Sequence, residues 1–262
     1  MDGSITQLLM TNLAVIFAAM LALWALSVAL GDASIVDIWW GPGFALVAVA
    51  SHRMAAPGNT LITALTVVWG LRLGVYLLVR NAGKGEDPRY QAMRRYHEQH
   101  GRSFALVSLL TVFGLQGLLQ WFISLPVQLA QHAGTPALSS WPVAVGTSLW
   151  TVGLFFETVG DFQLARFKKD TASAGQVMDR GLWRYTRHPN YFGDFCVWWG
   201  LYLVALGSPG TWISIGSPLV MGFLLMRVSG VPMLERTIGR RRPGYAEYIR
   251  RTSAFFPMPP RS

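Results

Sequence analysis

The stretch GLWRYTRHPNYFGD, from Gly181 to Asp194, gathers more hydrogen-bonding groups than a simple connection between helices needs. Arg184, Arg187 and His188 bring positive charge, Asn190 an amide, Asp194 a carboxylate, and Tyr185 and Tyr191 hydroxyls. Gly181 permits a tight turn. Pro189 disfavours helix at His188 and is itself at home in a first helical turn. A helix is therefore expected to start here, with His188 or Asn190 capping its unpartnered N–H groups. The positive end of that helix, with Arg184, Arg187 and His188 beside it, suits an anion. The competing assignment is a collar at a lipid headgroup boundary, where Trp183, Tyr185 and Tyr191 are equally at home.

Upstream, Glu157, Asp161, Gln163, Arg166 and Lys168 follow one another at short intervals. Glu157 and Asp161 are four apart and share a helix face. Carboxylates accept ribose hydroxyls, while Arg166, Lys168, Lys169 and Arg187 could hold phosphates. Several acids beside an excess of base therefore suit a ligand with both groups. The alternative is a network tying helices together, with Arg227 as the base that neutralises the two acids. The front of the chain has fewer such residues. Asp37, Arg72 and Tyr76 are the ionisable groups within its apolar runs.

The elements that must position these groups are transmembrane helices. The 262 residues are 52% hydrophobic and only 13% charged, with a mean hydropathy of +0.35; a soluble domain is nearer one-quarter charged. Apolar runs long enough to cross a bilayer read Leu8–Leu30, Phe44–Ala50 with its flanks, Leu61–Val79, Phe104–Leu129, Val143–Leu164, Phe192–Leu206 and Trp212–Val231. The expectation is an all-α integral membrane protein of about seven helices. It forms one transmembrane domain over 1–262, with an apolar half over about 1–130 and a polar half over about 143–262.

The net charge of +9 raises the possibility of nucleic acid. Its placement argues for topology instead. Segments 80–102, 166–187 and 236–261 hold six, six and seven of the 22 Lys and Arg residues. They follow the third, fifth and seventh spans, so they share one side, and cytoplasmic loops collect such charge. The N-terminus is then outside and the C-terminus cytoplasmic. MDGSITQLLM lacks a basic leader region, so the first run is expected to be retained. The single cysteine, Cys196, lies in a span and reads as a small core residue. The protein is expected to contact membrane lipids and a hydrophobic small molecule, to bind no nucleic acid or metal, and to act as a monomer in a membrane, the inner membrane in a bacterium.

GLWRYTRHPNYFGD, the downstream ERTIGRRRPGYAEYIRRTSAFFP and the upstream DFQLARFKKD together resemble the bacterial relatives of the steroid 5α-reductases. The resemblance covers about Asp37 to Pro257. The C-terminal motifs are shared with the isoprenylcysteine carboxyl methyltransferases, whereas DIWWGPGF, WGLRLGVYLLVR and DPRYQAMRR are closer to the reductases. The resemblance implies seven membrane helices, NADPH held by the last three and an apolar substrate enclosed by the first four. Position by position, Asp161, Lys168, Asn190, Asp194 and Arg227 match cofactor contacts. Tyr185, His188, Tyr191, Glu235 and Tyr248 fall in the same motif segments. The steroid-reducing members carry a Gln-Glu pair in the second span and a Tyr in the third. Here Trp40 and Trp69 stand in those places, so both are expected to line the substrate site.

The implied activity is NADPH-dependent reduction of the C=C bond of an enone in a hydrophobic molecule, such as a 3-oxo-Δ4 steroid or a similar flat lipid. The alternative is an S-adenosylmethionine-dependent methyltransferase of a lipidic substrate. Hydride addition leaves an enolate that needs a donor. Asp37, one turn before Trp40, is the first candidate, because desolvation favours a protonated acid. Tyr76 is the second. Arg72 either donates to the enolate or pairs with Asp37, and in that pair Asp37 is structural.

Overall fold

The computed structural model describes residues 3–55, 58–133, 140–228, 230–231, 235 and 244–261. Among them there is no β-strand, only an isolated parallel bridge between Thr186 and Ser253. Among the described residues, six helices are long and apolar enough to cross a membrane: Ser4–Leu30, Ile35–Met54, Thr60–Asn81, Phe104–Ile123, Trp141–Lys169 and Thr211–Val228. These are α1, α2, α3, α5, α7 and α9. Shorter helices are α4 (Pro88–Gln99), α6 (Leu125–His132), α8 (Pro189–Leu206) and α10 (Tyr245–Arg251). The expected sixth span is α8, which is 18 residues long. Its first turns carry Asn190 and Asp194, and it is not among the six.

The helices form two compact units. One is Met1–Pro136 with Ser208–Ser214, the other Ala137–Gly207 with Ile215–Ser262. In the first unit, α2 and α3 meet backbone to backbone. A Cβ on Gly41 would lie 2.3 Å from the Gly70 carbonyl oxygen, and one on Gly70 would lie 2.4 Å from that of Gly41. Pro42 sits inside α2, and Gly74 leaves room for its ring. Fully buried polar side chains tie further helices together. Asn12 Nδ2 on α1 donates to Ser51 Oγ on α2 (2.8 Å) and to Gln128 Oε1 on α6 (3.0 Å). Gln131 accepts from the Asn59 N–H (2.7 Å) and donates to Thr63 Oγ1 (2.7 Å). Lipid cannot hydrogen-bond these groups, so each holds its partner in place.

The expected span Phe104–Leu129 is two helices. α5 ends at Ile123 and α6 restarts with Pro126 in its first turn. Proline cannot donate to the preceding turn, so the helix breaks where it stands.

In the second unit, α7 and α8 run antiparallel along a glycine seam. Gly146, Gly153 and Gly160 are seven apart on α7, as are Gly193 and Gly200 on α8. A Cβ on Gly153 would lie 2.6 Å from the Gly193 carbonyl oxygen and 2.7 Å from the Val197 nitrogen. A Cβ on Gly146 would lie 2.7 Å from the Gly200 oxygen. Small residues permit this approach, which replaces the missing hydrophobic drive between helices in lipid. Gly153→Val is expected to push α7 and α8 apart at a cost of about 1–3 kcal/mol. The check is a lowered thermal unfolding midpoint in detergent; an unchanged midpoint would show that the seam tolerates a side chain.

Candidate functional site

The segment before α8 is shaped by contacts with α7. Gly181 has a φ of +59°, and a Cβ there would lie 2.4 Å from the Gln163 amide. The Leu182 N–H donates to Gln163 Oε1 (3.0 Å), and Trp183 Nε1 donates to the Gly160 carbonyl (3.0 Å). Pro189 then opens α8 in its first turn, with Gly160 beside its ring. The helix thus starts where its sequence says it should. The capping differs: His188 occupies the N-cap but makes no side-chain capping bond. The Asn190 amide instead points to Asp161 Oδ1 on α7, at 3.5 Å.

Arg187 was expected to hold phosphate. It is fully committed elsewhere. Its Nε and Nη2 donate to the two Glu235 oxygens at 2.7 and 3.1 Å. Nη1 donates to the Thr252 and Ile249 carbonyls at 2.6 and 3.2 Å. This buried guanidinium ties the entry of α8 to Glu235 and to the C-terminal segment. The Arg187 N–H to the Ser253 carbonyl (2.9 Å) and Thr186 Oγ1 to the Phe255 carbonyl (2.8 Å) add to the clamp. Glu235 also meets His188 Nε2 at 3.0 Å. The buried Tyr248 donates its hydroxyl to the Trp183 carbonyl. Arg187, Glu235 and Tyr248 therefore act as structural ties, a correction of their expected role at a cofactor. Burial raises the Glu235 pKa, but hydrogen bonds from His188 and Arg187 outweigh it and hold the carboxyl at about 2.

Asp161, Asn190 and Glu157 do come together. Glu157 and Asp161 are 2% and 3% exposed, deep enough that each must serve a specific partner. Glu157 packs against the place where a Gly193 side chain would be. His188 Nδ1 is buried and has no hydrogen-bond partner among the described residues, while its ring stacks on Tyr191 at 5.5 Å. Asp194 lies one turn beyond Asn190 on α8. Arg166, Lys168 and Lys169 are exposed on the last turn of α7. Tyr185 is exposed, and its carbonyl accepts from the Met258 N–H (3.0 Å). Arg227 sits exposed in a π-helical turn that ends α9. An exposed guanidinium does not neutralise Glu157 and Asp161 as expected.

In the first unit, Asp37 accepts twice. Arg89 Nη2 donates to Oδ2 (2.6 Å) and the Tyr90 hydroxyl to Oδ1 (2.7 Å). The structure uses Asp37 as an acceptor, not as the proton donor expected of it, and its cation is Arg89 rather than Arg72. The Arg72 guanidinium lies over the Tyr76 ring at 5.4 Å, with Arg80 over the same ring at 5.7 Å. Trp40 and Trp69 meet through Phe44, at centroid distances of 5.1 and 5.8 Å. Gln120 Nε2 donates to the Trp40 carbonyl (2.9 Å).

Arg89, Tyr90 and Gln116 complete the cluster and had been overlooked. Gln116 Nε2 approaches the Tyr90 hydroxyl at 3.4 Å. Burial and the Asp37 charge push the Tyr90 phenol far above its usual range. The signal was present in DPRY. Asp87 caps the Arg89 N–H (2.9 Å) and Pro88 opens α4, so Tyr90 is held in a fixed first turn. Among the described residues, no group of three or more His, Cys, Asp and Glu could hold a metal ion.

The family described as a protein of unknown function (DUF1295) matches residues 23–252. A nickel-cobalt-cadmium resistance protein, NccN, of Alcaligenes xylosoxydans xylosoxydans is 27% identical over 118 residues, 45% of this chain and 53% of the relative. The chain thus spans about half the length of that relative. No solved structure matches.

The clamp predicts a pH dependence. The Glu235 pKa is lower in the folded protein than the ordinary 4.5. Its contribution to stability is then full above about pH 4.5 and is lost as the pH falls towards 2. Thermal midpoints measured across that window should fall for the parent and change less for Glu235→Gln, which starts lower at neutral pH.

Proposed function

We propose, for a chain that belongs to the DUF1295 family, an NADPH-dependent membrane reductase that saturates the C=C bond of an enone in a hydrophobic substrate. A 3-oxo-Δ4 steroid or a similar flat lipid is the substrate class. The reading extends to a seventh span at α8, the N-terminus outside, the C-terminus cytoplasmic and a monomeric protein. It draws on the resemblance of DFQLARFKKD and GLWRYTRHPNYFGD to the steroid 5α-reductases, together with the geometry of those residues.

The observation that carries it is the polar group at the start of α8. Asn190 meets Asp161 across the α7–α8 seam, and His188 Nδ1 is buried without a partner among the described residues. A buried polar atom left unpaired costs about 1–3 kcal/mol, so a ligand that supplies its partner is stabilised there. Asp161 accepts from a ribose hydroxyl, Asn190 bonds an amide or hydroxyl, and His188 Nδ1 pairs with a further polar group. Arg166, Lys168 and Lys169 bear on phosphates from the exposed end of α7. The residues fit a dinucleotide bound between helices, without the strand and glycine-rich turn of a Rossmann unit. Reduced nicotinamide, when bound, supplies the hydride.

The donor to the substrate oxygen is assigned to Tyr90 rather than Asp37. Its hydroxyl carries a proton throughout the physiological range, because burial and the Asp37 charge oppose ionisation. In the free protein Asp37 accepts the one phenol O–H and Gln116 donates to the phenol oxygen, so that O–H would turn from Asp37 to the substrate oxygen on binding, while Arg89 offsets the carboxylate charge. Saturation would need a hydride at the β-carbon, an O–H donor to the enolate oxygen, the part assigned to Tyr90, and a proton from water at the α-carbon. Half-buried Trp40 supplies apolar surface on α2, backed by Phe44 and Trp69, which are fully buried behind it.

Turnover of a 3-oxo-Δ4 steroid by the purified protein, followed at the reduced nicotinamide absorbance, tests the reaction. Co-purification of S-adenosylmethionine in place of a dinucleotide would instead select the methyltransferase. Lys168→Ala is expected to weaken NADPH binding about tenfold to a hundredfold, since a charged contact contributes about 1.5–3 kcal/mol. Unchanged affinity at moderate salt removes Lys168 from the cofactor site. Tyr90→Phe is expected to lower turnover by about a hundredfold or more at unchanged NADPH affinity. A Tyr90→Phe protein with full turnover would exclude the phenol as donor.

A further inference from the structure

A polar cavity lies in the second unit, and none of the groups around Asn190 lines it. Its volume is about 430 Å³, and Asp179, Arg184, Tyr248, Arg251, Thr252 and Arg261 line it together with Pro260. The walls are fixed from three directions. The Arg261 N–H donates to the Arg251 carbonyl (2.9 Å), closing the C-terminal segment onto α10. The Tyr248 hydroxyl holds α10 to Trp183, next to Arg184. The Thr252 carbonyl accepts from the buried Arg187 (2.6 Å).

Three guanidinia face one carboxylate here. Among the described residues, Asp179 approaches Arg251 at 3.7 Å, and Arg251 also approaches Glu247, outside the lining, at 3.8 Å. Among the described residues, neither Arg184 nor Arg261 has a carboxylate partner. A cavity with this surplus of forked donors suits a phosphate ester. The surrounding surface narrows the source. Tyr185, next to Arg184 in the chain, and Met258, two residues before Pro260, are 45% and 55% exposed and flank the lining residues. The Met258 N–H bond to the Tyr185 carbonyl (3.0 Å) joins the backbones of these two residues. A soluble phosphate compound has no need of that apolar flank. A phospholipid does, because its glycerol and first methylenes continue from the headgroup.

We propose that this cavity binds the phosphate of an anionic phospholipid headgroup, held by Arg184, Arg251 and Arg261. The site is independent of the reductase reading. It gives the basic C-terminal segment a specific ligand instead of a diffuse attraction to the membrane surface.

Native mass spectrometry of the full chain in detergent, titrated with phosphatidylglycerol or phosphatidylcholine of matched acyl chains, tests it. Phosphatidylglycerol should bind the parent at least fivefold more tightly. Arg184→Gln, Arg251→Gln and Arg261→Gln should each weaken it about fivefold, the effect of one basic side chain near an anionic headgroup. Arg261→Lys should retain most of the preference, which separates lost charge from lost folding. Excess NADPH or inorganic phosphate should leave the bound lipid in place. Equal affinity for the two lipids in the parent, or an unchanged preference in a folded triple Gln variant, overturns the proposal. Displacement of the lipid by NADPH does so too, and assigns the cavity to a nucleotide phosphate.

Discussion

Backbone contact between α7 and α8 is the constraint on which the second unit depends. Glycines seven apart on both helices let carbonyl and amide groups approach within a distance that any side chain would block. The register this sets is also the register of the polar residues. Asp161 follows Gly160 on α7, and Asn190 stands in the first turn of α8, three residues before Gly193. Sliding either helix by one turn would separate the acid from the amide by about 5.4 Å. The seam thus fixes the site as well as the packing.

The entry to α8 shows how charge can serve architecture in a region rich in it. Arg187 spends its donors on Glu235 and on two carbonyls. Removing one partner of such a buried pair leaves the other charge without compensation, which costs more than the pair contributes. The same arrangement aims His188 Nε2 at Glu235, and so fixes which ring nitrogen is left over. Structural ties and a ligand-facing group thus come from neighbouring residues of one motif.

Much of the helical framework was legible in the sequence. Apolar runs marked the long helices, and Gly181 and Pro189 marked the turn and the start of α8, because these signals are local. The break at Ser124–Pro126 was not legible, because the unbroken hydrophobicity of Phe104–Leu129 masked the signal of Pro126. Partner choice was not legible. Arg187 joins Glu235 across 48 positions, and Arg89 joins Asp37 across 52. Residue type alone offered Arg72 for Asp37 and Arg227 for the buried acids. The structure places Arg72 over Tyr76, four residues on along α3, and leaves Arg227 exposed. Residues in the candidate site were recognised by type, while their division into ties and ligand contacts depended on geometry.

The Asn12 amide on α1 has a bearing on how the chain is made. One of its partners, Ser51, lies on α2, but the other, Gln128, follows 116 positions later on α6. At ribosomal speeds of about 5–20 residues per second, that interval is roughly 6–23 seconds. During it, a helix already in the bilayer carries a polar side chain whose lasting partner has not been synthesised. The first helix therefore stays only partly satisfied until α6 arrives, and the first unit closes late, from its last helix back to its first.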